Sequence, residues 1–166
     1  MTNRREATAA WRELFGVQSM LLRQFEAAGD FGGLSPREYD VLLVLAEAGE
    51  GLRLGDVASR TFLPQPSMSR IVERLEKRGL VERCSSPSDA RGVLVSLTPL
   101  GATTQREAGR RHVRSIAQAI TAGLDDREIA TLARLLTKVR LANTANAADA
   151  TDNANSRFAI GMEGKK

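Results

Sequence analysis

Apolar positions fall into helical stripes along most of the chain and into strand-favouring runs in one place. Met68, Ile71, Val72 and Leu75 recur at i, i+3, i+4 and i+7, the period of one helix face. Gln65, Ser67, Ser69, Arg70, Glu73, Arg74 and Lys77 lie off that stripe. The pattern predicts a helix that buries one side and turns hydroxyls, an amide and guanidinium groups outward. Gly79 ends it, because glycine takes φ > 0 at low cost. Two runs of strand formers follow, Leu80 to Cys84 and Val93 to Leu97. Between them lies SSPSDARG, read as the turn and carrying Asp89 and Arg91.

The flanking patterns are helical. Residues 5–28 carry Trp11, Leu14, Phe15, Gln18, Leu21, Leu22 and Phe25 at helical spacing, before Gly29, Gly32 and Gly33. This stripe is broad and starts almost at the N-terminus. It packs either on its own domain or against another subunit, and Trp11 is a core or interface anchor or a ligand-pocket residue. Ser35 and Glu38 make an S-x-x-E capping box with Pro36 at the first helical position, opening a helix with Tyr39, Leu42, Leu43, Leu45 and Ala46 inside. Leu52 to Leu54 reads as a short extended piece able to join the hairpin. A third helix spans about Gly55 to Phe62, and the segment FLPQP turns into the fourth, since Pro64 and Pro66 are both costly inside a helix. Short helix, tight turn, amphipathic helix and hairpin together give a winged helix-turn-helix order.

After the hairpin, Thr98 and Pro99 start a fifth helix running to about Ala122. Its apolar face is thin: Ala102, Ala108, Val113, Ile116, Ala119 and Ile120. Arg106, Arg110, Arg111 and Arg114 make it basic. Asp125 and Glu128 form a second capping box, for a helix carrying Ile129, Leu132, Leu136 and Val139. So thin a stripe on a long helix is better suited to burial against a second copy than to a monomer core. From Ala142 the chain is rich in Asn, Ala, Asp and Thr and reads as a disordered tail. The expected organisation is an N-terminal dimerisation helix (1–33), a DNA-binding domain (34–98), C-terminal dimerisation helices (99–141) and the tail (142–166). The fold class is mainly α with a small β-hairpin wing.

Composition narrows the function. The chain has 166 residues, 42% hydrophobic and 27% charged, as expected of one soluble domain with a core of its own. It shows neither an 18-residue apolar run nor a signal-peptide pattern, so the cytoplasm is expected, with no membrane partner. The net charge is +4. From Arg53 to Arg91 there are eight Lys/Arg against five Asp/Glu, a balance of +3, whereas residues 1–30 carry four of each. The excess therefore sits on the helix and hairpin, where an anionic partner would need it. Hydroxyls and guanidiniums on that helix suit phosphates and major-groove base edges.

A single cysteine, Cys84, excludes an intramolecular disulfide and a multi-cysteine zinc site, and is expected to be a partly buried strand residue. No cofactor and no metal site is expected. Hydrolase, P-loop and dinucleotide-binding motifs are all missing, so the chain does not read as an enzyme. A winged helix that docks on a protein is the alternative, but such a face should be more apolar.

The words LSPREYDVLLVLAEAG (34–49), LGDVASRT (54–61), SMSRIVERLEKRGLVER (67–83) and SPSDARGVLVSLTPLG (86–101) resemble the MarR family of bacterial transcription regulators. The resemblance is close over about residues 34–101, and the outer helices match in position and character only. It implies a homodimer on a pseudo-palindromic double-stranded DNA operator, usually a repressor released by a small molecule such as a phenolic or aromatic acid. It places Gln65, Ser67, Ser69, Arg70 and Arg74 at the major groove and adjacent phosphates. It puts Arg91 in the minor groove, with Asp89 holding the guanidinium. A narrow minor groove does attract arginine, and a carboxylate two residues away can preorganise it; simple turn formation is the other role open to Asp89. Candidate effector contacts are Trp11, Arg12 and His112. The family's oxidant-sensing branch uses a cysteine in the first helix, which this chain lacks, and its zinc branch uses His with carboxylates or Cys, whereas the only histidine here is His112.

Overall fold

A computed structural model describes residues 3–61, 65–86 and 89–143, with backbone only at 65, 66, 86 and 89–92. The elements are α1 (Arg4–Ala27), α2 (Pro36–Ala48), β1 (Leu52–Arg53), α3 (Leu54–Thr61), α4 (Gln65–Lys77), β2 (Val81–Ser86), β3 (Asp89–Leu97) and α5 (Pro99–Thr121), followed by a helix over 126–143, here α6. By packing, the chain falls into two units, residues 1–117 and 118–166.

In the first unit, α2, α3 and α4 close around a core with the sheet. Val41, Leu42, Val57, Met68, Val72, Leu75, Val81 and Val95 are fully buried. The stripe expected of α4, Met68, Ile71, Val72 and Leu75, is the one it buries. The sheet is antiparallel in the order β1-β3-β2, so the extended piece at Leu52 does join the hairpin, pairing with Val95. Both hairpin strands are longer than the pattern suggested. Ser86 pairs with Asp89, after a register shift between Ser85 and Ser86. Most of SSPSDARG is thus strand, because ladder bonds override its turn-forming residues.

Local chemistry explains the helix ends. At α2, the Ser35 N–H donates to Glu38 Oε2 at 2.9 Å and the Glu38 N–H to Ser35 Oγ at 3.3 Å, a complete capping box with Pro36 next. Helix α4 starts at Gln65, so Pro66 lies within its first turn. That corrects the expectation that both prolines precede the helix: a first-turn N–H has no helical acceptor to lose. Helix α1 is long but buries only Phe25, while Trp11 is 65% and Phe15 60% exposed.

In the second unit, α6 opens with the expected box. The Asp125 N–H donates to Glu128 Oε2 and the Glu128 N–H to Asp125 Oδ1, both at 2.9 Å. Leu132, Leu135, Leu136, Val139 and Leu141 on this helix are exposed. No described helix is long and apolar enough to cross a membrane.

Candidate nucleic-acid interface

Helix α4 presents the face that its sequence pattern indicates. With the apolar stripe buried, Arg70, Glu73, Arg74 and Lys77 are exposed and Ser67 and Ser69 half-buried. Among the described residues, no ion pair involves Arg70. Lys77 Nζ donates to Glu73 Oε1 at 2.7 Å, an exposed i,i+4 pair that contributes little energy. The side chains of Gln65, Asp89 and Arg91 lie outside the described residues. The backbone of Asp89 and Arg91 is in β3 rather than in a loop.

The end of α4 is tied to the start of α5. Gly79, at φ 68°, ends the helix in the left-handed region. Thr98 Oγ1 donates to the Gly79 carbonyl at 2.6 Å and accepts from the Gly101 N–H at 3.0 Å. The Thr98 N–H also donates to the Leu80 carbonyl at 3.2 Å. One threonine thus caps α5 and locks the turn after α4. A Cβ at Gly101 would run into the Leu80 carbonyl, which explains the glycine in LTPLG.

A second tie runs to α2. Arg74 Nε donates to Glu38 Oε1 at 3.1 Å, and Arg78 Nη1 to Glu38 Oε2 at 3.4 Å. The Glu38 side chain is 8% exposed and that of Arg74 55%. Burial pushes the Glu38 carboxyl up, but hydrogen bonds from the Ser35 backbone, Arg74 and the Ser35 hydroxyl, with the Arg74 charge, outweigh it and leave it below the usual carboxylate range. Arg74 is therefore anchored to its own domain by Nε while much of its surface faces solvent. Sequence reasoning took Glu38 only as a cap and did not single out Arg78; the signal missed was a second role for the capping carboxylate.

The three effector candidates are not brought into one cluster. Trp11 stands exposed on α1. Arg12 lines a shallow depression of about 380 Å³ with Arg4, Arg5, Thr8 and Ala9. His112 is packed inside the first unit: its ring lies 5.0 Å from Phe25, 4.8 Å from Phe31 and 5.4 Å from Tyr39, centroid to centroid. Its Nδ1 is 3.1 Å from Oδ2 of buried Asp30, whose Oδ1 accepts from the Ser115 hydroxyl at 2.8 Å. Arg111 Nε donates to the Asp30 backbone carbonyl at 3.2 Å. This cluster, with Asp30 at its centre, staples the α1–α2 connection to α5. Beside it, burial raises the Tyr39 phenol, with the Asp40 charge adding to the effect and a Gln105 hydrogen bond opposing it. Desolvation raises the Asp40 carboxyl, with His112 pulling the other way.

Cys84, expected to be partly buried, is exposed on the edge strand β2, and its Sγ lies 3.5 Å from Ser96 Oγ. Among the described residues there is no His, Cys, Asp and Glu cluster able to hold a metal ion.

A cation-bearing helix set behind a short helix and joined to a three-stranded antiparallel wing defines a winged helix-turn-helix protein. A family model described as "MarR family" matches residues 32–92. The multiple antibiotic resistance protein MarR of Salmonella typhimurium is 40% identical over 73 residues, 44% of this chain and 51% of that protein. The chain thus spans about half the length of that relative. An HTH-type transcriptional regulator of Mycobacterium bovis is 31% identical over 110 residues, 66% of this chain and 76% of that protein. AbsC, a MarR family transcriptional regulator from Streptomyces coelicolor, superposes with a TM-score of 0.75 at 27% identity, covering 87% of this chain and 97% of AbsC. Two further regulators from that organism are alike. Sco3205, a MarR family regulator solved with DNA, has a TM-score of 0.71 at 28% identity over 84% of this chain and 89% of its own. PcaV, solved with its natural ligand, has a TM-score of 0.65 at 28% identity over 86% and 94%. The chain belongs to the MarR family, whose members are transcriptional regulators and not enzymes.

Proposed function

We propose that this chain is a sequence-specific, double-stranded DNA-binding repressor that works as a homodimer and is released by a small aromatic or phenolic effector. The observation that carries DNA binding is the division of α4: four apolar side chains, Met68, Ile71, Val72 and Leu75, are sealed in the core, while the opposite face offers hydroxyls and guanidiniums beside a hairpin. Ser67, Ser69, Arg70 and Arg74, with Gln65, are the major-groove and phosphate candidates. Arg91, on the wing strand, is the minor-groove candidate, and Asp89 its holder. Sco3205 with DNA and PcaV with its ligand support both halves of this reading. Of the effector candidates, Trp11 and Arg12 are open to a ligand, whereas His112 is already engaged by Asp30 and three rings.

The test is recovery of bound genomic fragments with the purified protein, followed by mobility shift on the recovered operator at several salt concentrations. Binding should weaken steeply with salt as phosphate contacts release counterions. Arg91→Ala should cost about 1–3 kcal/mol, the size of one good groove contact. Salt-independent binding would count against DNA recognition, and unchanged affinity in Arg91→Ala would remove the wing from it.

A further inference from the structure

Glu38 stands apart from the other acidic residues near α4. Glu73 is exposed and pairs along the helix, and Glu76 pairs with Arg83 at 3.2 Å while itself well exposed. Glu38 is buried, on a different helix, and takes two guanidiniums of the α4 segment at once. Both of its oxygens accept: Oε1 from Arg74 Nε, and Oε2 from the Ser35 N–H and Arg78 Nη1. Arg78 is held again by the Gly33 carbonyl, 3.4 Å from Nη2. The cap fixes the carboxylate and the carboxylate fixes both arginines, so neither can swing freely towards an approaching polyanion.

Phosphate contacts are the sequence-independent part of DNA affinity. A free arginine strengthens binding to every sequence alike; a held one contributes only where the duplex arrives in the matching register. Holding also lowers the rotamer entropy lost on binding at the correct site. We propose that Glu38 is a specificity-determining positioning residue: it withholds the Arg74 and Arg78 charges from indiscriminate phosphate contact and sets Arg74 in one orientation on α4. This rests on the DNA-binding reading above.

The test uses the full chain and its Glu38→Gln variant, which keeps an oxygen for the Ser35 cap but loses the charge. The probes are a random-sequence duplex and the operator fragment recovered above. On the random duplex, the variant should bind more tightly at low salt, and its slope of log K against log salt should steepen by about 0.9 for each arginine freed. At about 0.15 M salt this corresponds to roughly fivefold per contact, so the ratio of operator to random affinity should fall at least about fivefold. Ser35→Ala, which removes the cap hydroxyl and leaves the charges, should lower Tm without moving the slope. A Glu38→Gln slope and ratio equal to wild type, or shifted the other way, overturn the inference and leave DNA binding standing. A wild-type chain that binds neither duplex overturns the functional reading and this inference with it. If circular dichroism shows Glu38→Gln unfolded, Arg78→Gln decides. Its slope should match wild type because that charge is already committed; a slope shallower by about 0.9 per protomer overturns the proposal.

Discussion

Gly101 has no side chain because there is no room for one. Replacing a helical glycine by alanine ordinarily stabilises by up to about 1 kcal/mol. Here the Cβ would meet a backbone carbonyl, that of Leu80, which cannot rotate away as a flexible side chain could. Gly101→Ala should therefore destabilise the fold by about 1–3 kcal/mol, read as a lower urea midpoint at unchanged m. Asp30 is the second residue on which much depends. Its carboxylate serves Ser115 and His112 from a side chain only 4% exposed. Asp30→Ala leaves a hydroxyl and a ring nitrogen without their partner, at a cost of about 1–3 kcal/mol. Asp30→Asn, which keeps the size and one acceptor, should lose less in the same urea titration.

At the scale of elements, α4 is held by its neighbours more than by its own propensity. Its first turn contains a proline, its end is pinned by Thr98, and its Arg74 is tied to α2. The α2 tie depends on pH in a defined direction. The Glu38 carboxyl is depressed below its ordinary value of 4.5, so the stability it contributes is complete above the unfolded carboxyl pKa and is lost as pH falls through the folded one. The stability difference between wild type and Glu38→Gln should stay level from about pH 7 to pH 5 and close below about pH 4. A difference that widens on acidification would show that the carboxyl is not depressed. The wing carries a different lesson. Turn-forming residues at 85–92 promised a loop, but Asp89 pairs with Ser86 of β2, and Arg91 falls within β3.

At the scale of the whole molecule, large apolar side chains are exposed along α1 and on part of α5. Trp11, Leu14, Phe15, Val17 and Met20 on α1 and Val113 and Ile116 on α5 stand open to solvent in one protomer. Burial of such surface stabilises by about 25 cal/mol per Å², and so large an exposed apolar area points to a partner surface. A second copy is the occupant proposed above. If the proposed dimer forms through this face, Phe15→Glu should shift the protein from dimer to monomer in sedimentation equilibrium and weaken binding to a two-half-site operator. A variant that remains dimeric at micromolar concentration would place the interface elsewhere.

Much of this was readable from the chain. Helical period marked the buried stripe of α4, the S-x-x-E and D-x-x-E boxes marked the starts of α2 and α6, and glycine marked the end of α4. All are local: each depends on residues within about two turns of one another, where stereochemistry leaves few choices. The polar face of α4 was legible for the same reason, as the complement of its stripe. What the sequence could not show was partnership over distance. Arg74 and Arg78 reach a carboxylate 36 and 40 positions away, and Asp30 meets Arg111, His112 and Ser115 across 81 to 85 positions. No periodicity joins such residues; only the packing of α2 on α4 and of the α1–α2 connection on α5 does. His112 thereby became a packed residue and Glu38 a holder of arginines.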